Sequence, residues 1–202
     1  MITSIDKNTA LVLIDLQKGV FNYQTVHPAK DIIHNAGQLA AAFRKAGLPV
    51  VVVNVNPIGS PSMLVRADVN NGLPRDTAVQ QQQLEAMKAG GFFDIVPEIN
   101  VQPEDIHITK GTWSAFPNTP LLGILREKNI TNIVLAGVST SIGVEGTARS
   151  ANENGFNITF ATDAMTDLQL ACHEYSLQYI LPRIGETGTT ADILHHLSLR
   201  EK

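Results

Sequence analysis

Ala10-Leu-Val-Leu-Ile-Asp15 is a run of five apolar residues closed by a single acid, with Leu16 and Gln17 behind it. The apolar residues do not alternate with polar ones, so the strand they predict is buried on both faces. That is the habit of a parallel sheet covered by helices on each side. Four more runs are read as strands: Leu48 to Asn54, Asp105 to Thr109, Asn132 to Ala136 and Phe156 to Ala161, the first and third of them as solidly apolar. A weaker sixth lies at Thr187 to Thr190. Helical patterns fall between them. Ile32, Ile33, Ala36, Leu39, Ala40 and Phe43 recur at helical spacing, and Gly47 stands where a closing glycine belongs. Leu121, Leu122 and Leu125 mark a second helix, Ile142 to Asn152 a third, and Ala171 to Ile184 a fourth. The alternation predicts an α/β fold: a three-layer α/β/α sandwich on a mostly parallel, roughly six-stranded, doubly wound sheet.

Composition narrows the class. The chain has 202 residues, 15 Lys and Arg against 19 Asp and Glu, and a formal net charge of −4. That length suits one domain over residues 1–202 with a single substantial core. A mildly negative chain has no general attraction for nucleic acid or anionic lipid. No apolar stretch is long enough to span a bilayer, and the first residues lack the pattern of a secretory signal. The reading is therefore a cytoplasmic protein with neither nucleic acid nor membrane as partner. Cys172 is the single cysteine, which rules out an internal disulfide and reads as interior packing. The six histidines show no metal-binding pair one helical turn apart, so no metal and no cofactor are expected. The rhythm breaks between Asn56 and Glu104, where no convincing strand appears and Thr77 to Lys88 reads as helix. So long an irregular connection is usually functional.

Ligands of doubly wound sheets bind beyond the carboxyl ends of the strands. The first strand ends in Asp15, the third runs into Lys110, and the fourth ends at Gly137-Val-Ser-Thr140 and feeds a helix. An acid, a base and the positive end of a helix thus meet at one rim. Each has a plain alternative: an Asp at a strand end often caps a turn, and an isolated lysine is ordinarily solvated. Gly143, Gly146 and Ser150 share one helical face, a spacing that reads as close packing of helix on sheet.

Three ordered stretches carry a resemblance: Leu13-Ile-Asp-Leu-Gln17, Lys110-Gly-Thr-Trp-Ser-Ala-Phe116 and Gly137-Val-Ser-Thr-Ser-Ile-Gly-Val-Glu-Gly-Thr-Ala-Arg149. Together they resemble the isochorismatase-like hydrolases, in order and spacing, over essentially the whole chain. Most of that family are cysteine hydrolases with an Asp, a Lys and a Cys at the start of the helix after the fourth strand. Asp15 and Lys110 match the first two, and Gly143 stands at the position of the Cys. The resemblance therefore implies a cysteine-less branch, cofactor-independent, hydrolysing a small carboxylate-bearing substrate of vinyl-ether type. Asp15 would be the general acid, with Lys110 and Gly143 completing the catalytic set. It implies backbone N–H groups of Ser139 and Gly143 at the family's oxyanion hole, and a cis peptide bond at Val138–Ser139. Substrate contacts are expected from Gln17, Asn56, Arg66, Trp113, Phe116, Ser139 and Thr140, with Phe21 as a further pocket wall. The only partners implied are a small-molecule substrate and further copies of the chain in a homo-oligomer. Two other readings stay open: a catalytically silent small-molecule-binding member and, ranked lower, an amidohydrolase.

Overall fold

The computed structural model describes residues 1–57 and 76–199. Six strands form one sheet: β1 (Thr9–Ile14), β2 (Val50–Val55), β3 (Ile106–Lys110), β4 (Asn132–Val138), β5 (Asn157–Thr166) and β6 (Glu186–Gly188). Their order is β3-β2-β1-β4-β5-β6, and every neighbouring pair is parallel. The order reverses between β1 and β4, which makes their carboxyl ends the topological switch point of the sheet.

The helices are α1 (Ala29–Lys45), α2 (Thr77–Ala89), α3 (Leu121–Glu127), α4 (Glu145–Glu153), α5 (Leu170–Tyr175), α6 (Leu181–Ile184) and α7 (Thr190–Ser198). They cover both faces, because successive residues of each strand point to opposite sides. Ala10, Val12 and Ile14 pack with Leu121 and Leu125 of α3, Ala148 of α4 and Leu181 of α6. Leu11 and Leu13 pack with Ile32, Leu39 and Phe43 of α1 and Ile193 of α7. The unbroken apolar runs are thus two half-sets, one for each layer. Asp76 caps α2, its Oδ1 accepting from the Ala78 and Val79 N–H groups at 2.9 and 3.1 Å.

Four elements depart from the sequence reading, the first being the weak sixth strand, which lies at Glu186–Gly188 and gives way to α7 at Thr190. The strand expected to stop at Ala161 runs on to Thr166, because its register on β4 shifts between Leu135 and Gly137. Polar Thr162 and Asp163 fall in that irregular stretch and interrupt the apolar run there. The helix expected at Ile142 opens earlier, as a wide π-helical turn over Thr140–Val144, and becomes α4 at Glu145. The helix expected over Ala171 to Ile184 is three pieces, α5 and α6 joined by a π-helical turn at Ser176–Ile180. Pro182 lies in the last of these, and a ring with no N–H to donate disturbs the preceding turn.

Gly137 sets the spacing at the switch point. Its φ is +125°, and a Cβ built on it would lie 2.0 Å from the Ile14 carbonyl oxygen. Only glycine allows β4 so close to the end of β1.

Candidate active site

The chain leaves β1 at Asp15, whose φ of +50° is left-handed, a conformation Asp tolerates better than most residues. The Asp15 N–H still donates to the Val53 carbonyl at 3.0 Å, and its own carbonyl accepts from Gln17 N–H at 2.8 Å. This tight turn carries the carboxyl out of the ladder and across the end of β2. There Lys110, the last residue of β3, meets it: Nζ lies 2.7 Å from Asp15 Oδ2, with the two side chains 1% and 8% exposed. The ammonium also donates to the Trp113 carbonyl at 2.7 Å. Gly143, on the wide turn after β4, closes the third side. A Cβ there would lie 2.9 Å from Ile14 Cγ2, 3.1 Å from Asp15 Oδ2 and 3.3 Å from Lys110 Nζ. Three segments far apart in sequence thus converge within contact distance.

Two effects oppose each other on the acid. Burial disfavours the carboxylate, while the Lys110 charge and hydrogen bond favour it. Burial wins, and the Asp15 carboxyl is pushed up from 3.8 to about 6. Geometry agrees in part: Lys110 engages only Oδ2, whereas Oδ1 is buried with no hydrogen-bond partner. Such an oxygen is costly to keep charged.

The peptide bond between Val138 and Ser139 is cis, as the resemblance implied. The profile of the isochorismatase domain matches residues 9–192 of this chain. The chain belongs to the isochorismatase family. It is 37% identical over 191 residues to the isochorismatase family protein YwoC of Bacillus subtilis, covering 95% of each. It is 35% identical over 192 residues to YecD of Escherichia coli O157:H7, covering 95% of this chain and 97% of that one. Among solved structures, an isochorismatase family protein from Burkholderia thailandensis aligns with a TM-score of 0.86 at 34% identity, covering 98% of this chain and 100% of that one. The protein is accordingly an isochorismatase-family hydrolase, built on the six-stranded parallel sandwich that the sequence predicts.

The remaining residues expected at the isochorismatase-family site divide. Ser139 is half-buried at the end of β4, and its carbonyl accepts from Ile142 and Val144 N–H, both at 3.1 Å. Asn56 follows β2 and donates its backbone N–H to the Lys110 carbonyl at 2.8 Å. Trp113 is 61% exposed, beside the lysine its carbonyl holds. Phe21 is partly buried against the α1 layer. Arg66 lies outside the described residues.

Gln17, Thr140 and Phe116 go elsewhere. The Gln17 side chain is fully buried and spends both amide protons on the Val55 and Phe93 carbonyls, each at 3.1 Å, while Oε1 accepts from Val55 N–H at 2.8 Å. It binds the protein's own backbone. Thr140 is fully buried; its hydroxyl donates to the Thr166 carbonyl at 3.0 Å and sits 2.8 Å from His173 Nδ1. One hydroxyl carries one proton, so Nδ1 is the donor in the second bond. Phe116 belongs to the core, packed on Phe156 at a ring separation of 6.1 Å. Cys172 corrects another expectation, since it is exposed on α5.

Asp167 and His173, which the sequence reading does not single out, lie beside the turn after β4. Asp167 Oδ2 accepts both the N–H and the hydroxyl of Ser141 at 2.8 Å, and Oδ1 accepts from Leu168 N–H at 2.7 Å. It therefore ties the segment after β5 to the turn after β4. Burial, and after it the neighbouring His27, holds the His173 imidazole below its ordinary pKa. The rule that found Asp15 also finds Asp167 once β5 is known to end at Thr166. No group of three or more His, Cys, Asp or Glu among the described residues is arranged to hold a metal ion.

Proposed function

We propose that the protein hydrolyses a small carboxylate-bearing substrate of vinyl-ether type without a cofactor, with Asp15 as the general acid and no covalent intermediate. The observation that carries this reading is the state of Asp15: a carboxyl at about 6, buried, with one oxygen unpartnered. At pH 7 roughly a tenth of such a group keeps its proton, enough for an acid that works in every turnover. Asp15 would protonate the terminal CH2 of an enolpyruvyl ether. The double-bond electrons form the new C–H bond and leave an oxocarbenium ion. Water adds to that carbon and returns a proton to the Asp15 carboxylate, and the hemiketal collapses to pyruvate and an alcohol. Lys110, already in contact, would stabilise the carboxylate that remains.

Gly143 supports the cysteine-less reading. Its backbone lies so close to the pair that even a Cβ would press on Ile14, Asp15 and Lys110. In this reading the backbone N–H groups of Ser139 and Gly143 hold a substrate carboxylate or the attacking water. Asn56, Trp113 and Arg66 are proposed as further substrate contacts. The same reading takes residues 1–202 as one domain that self-associates, which sedimentation would measure.

The test is pyruvate release from isochorismate by the purified protein beside Asp15→Asn. Pyruvate from the unmodified chain alone, surviving exhaustive chelation, is the expected result. Equal release by both proteins overturns the role of Asp15, and no release moves the reading to another vinyl ether.

A further inference from the structure

The ladder between β1 and β2 runs in register from Leu11 opposite Val50 to Ile14 opposite Val53, and Asp15 N–H closes it on the Val53 carbonyl. There β1 turns out of the sheet. β2 continues to Val55, so the N–H and C=O of Val55 face a place where strand backbone is missing. Backbone polar groups left unpaired inside a protein are costly. The Gln17 side chain fills that place. A carboxamide is planar and carries a donor and an acceptor, as a peptide unit does. Nε2 donates to the Val55 carbonyl, Oε1 accepts from Val55 N–H, and the second amide proton goes to the Phe93 carbonyl. A single bridge between Gln17 and Ile95 adds backbone pairing to the same joint.

The opposite edge of Val55 leads to the lysine. Val55 stands in register with Lys110 across β2 and β3, and Asn56 N–H donates to the Lys110 carbonyl. Lys110 then reaches back to Asp15, two residues before Gln17. The path Asp15, Gln17, Val55, Lys110, Asp15 is a closed ring of covalent, hydrogen-bonded and ionic links.

We propose that Gln17 is a positioning residue: its carboxamide replaces the missing strand beside Val55 and so fixes where Lys110 lies against Asp15. This rests on Asp15 and Lys110 being the working pair, but its test needs no substrate, so the two ideas can fail separately.

The experiment is a carbon-13 NMR titration of the Asp15 carboxyl in the unmodified protein and in Gln17→Met, which keeps the volume and removes the three hydrogen bonds. With Lys110 freed, the influence that holds the carboxyl down weakens, and the midpoint rises by about one pH unit. Ile193→Ala, which opens a cavity in the α7 layer, lowers the Tm and leaves the midpoint unmoved. A Gln17→Met protein whose Tm falls while its Asp15 midpoint stays or drops would show Gln17 to be a stability clamp only, and would overturn the proposal. If Gln17→Met does not fold, hydrogen exchange in the unmodified protein decides. Val55 N–H protected as well as the β1–β2 ladder supports the joint, and exchange at the rate of an open loop overturns it.

Discussion

Among the described residues, two buried acid–base pairs have opposite character. At the amino end of β3, Asp105 receives Arg44 through both oxygens, Nε on Oδ1 at 3.0 Å and Nη2 on Oδ2 at 2.6 Å, and Oδ2 also accepts from Gln102 N–H at 2.8 Å. At the carboxyl end of the same strand, Lys110 engages one oxygen of Asp15 and leaves the other with no partner. The first carboxylate is fully satisfied by a planar, bidentate cation. The second is held in a left-handed turn, under-bonded and dry. A satisfied pair fastens structure, whereas the under-bonded carboxyl of Asp15 holds its proton to a higher pH than an ordinary Asp does.

Exchanging the damage between the two pairs is the strongest way to break this contrast. Asp15→Asn should lower turnover by about 10²–10⁴-fold, measured as kcat on whichever vinyl ether is hydrolysed. A loss under tenfold would return Asp15 to an ordinary turn residue. Asp105→Ala should instead cost about 3 kcal/mol in denaturant unfolding, because it strands a largely buried guanidinium. Its kcat/KM should stay at the unmodified level, and a large drop there would dissolve the distinction.

pH sharpens it next. Asp15 is held above its ordinary value, so the folded state binds that proton more tightly than the unfolded chain does. Its contribution to stability is full below about 4 and is lost as pH rises through about 6, on the order of 3 kcal/mol in all. Asp15→Asn should lack this slope, and identical stability–pH curves would refute it. In activity the same proton predicts a basic limb in kcat/KM with a midpoint near 6, moving upward in Lys110→Met. The smallest effect is expected at Gly143→Ala. The added methyl must displace Ile14, Asp15 or Lys110, and turnover should fall about tenfold with the fold retained.

How much of this was legible in the sequence follows from what each residue depends on. The β1, β2 and β4 runs declare a parallel sheet because burial on two faces leaves no polar alternation to mistake. Asp15 and Lys110 are legible as neighbours because strand ends gather at one rim whatever the loops do, whereas Gly143 joins them through the family resemblance alone. Burial at Asp15 was not legible: the lysine is visible in the sequence, but the desolvation that outweighs it depends on the packing of three segments. The resemblance implies Gln17 as a substrate contact, and nothing local in the sequence says that β1 leaves the sheet two residues earlier and that a side chain continues the ladder. Phe116 belongs to one of the three stretches that carry the resemblance, but its ring packs on Phe156 in the core, a direction the sequence does not encode locally. Asp167 is not legible because polar residues inside β5 disguise where that strand ends.

The exposed thiol of Cys172 has a practical consequence. A chain with one cysteine, at the surface, takes a maleimide dye at a single known place without any substitution. Its neighbour His173 hydrogen-bonds Thr140, directly after Ser139. A fluorophore on Cys172 would therefore sit on the helix whose next residue touches the turn after β4. A change of its emission on adding a compound would let candidates be screened for binding before any of them is known to react.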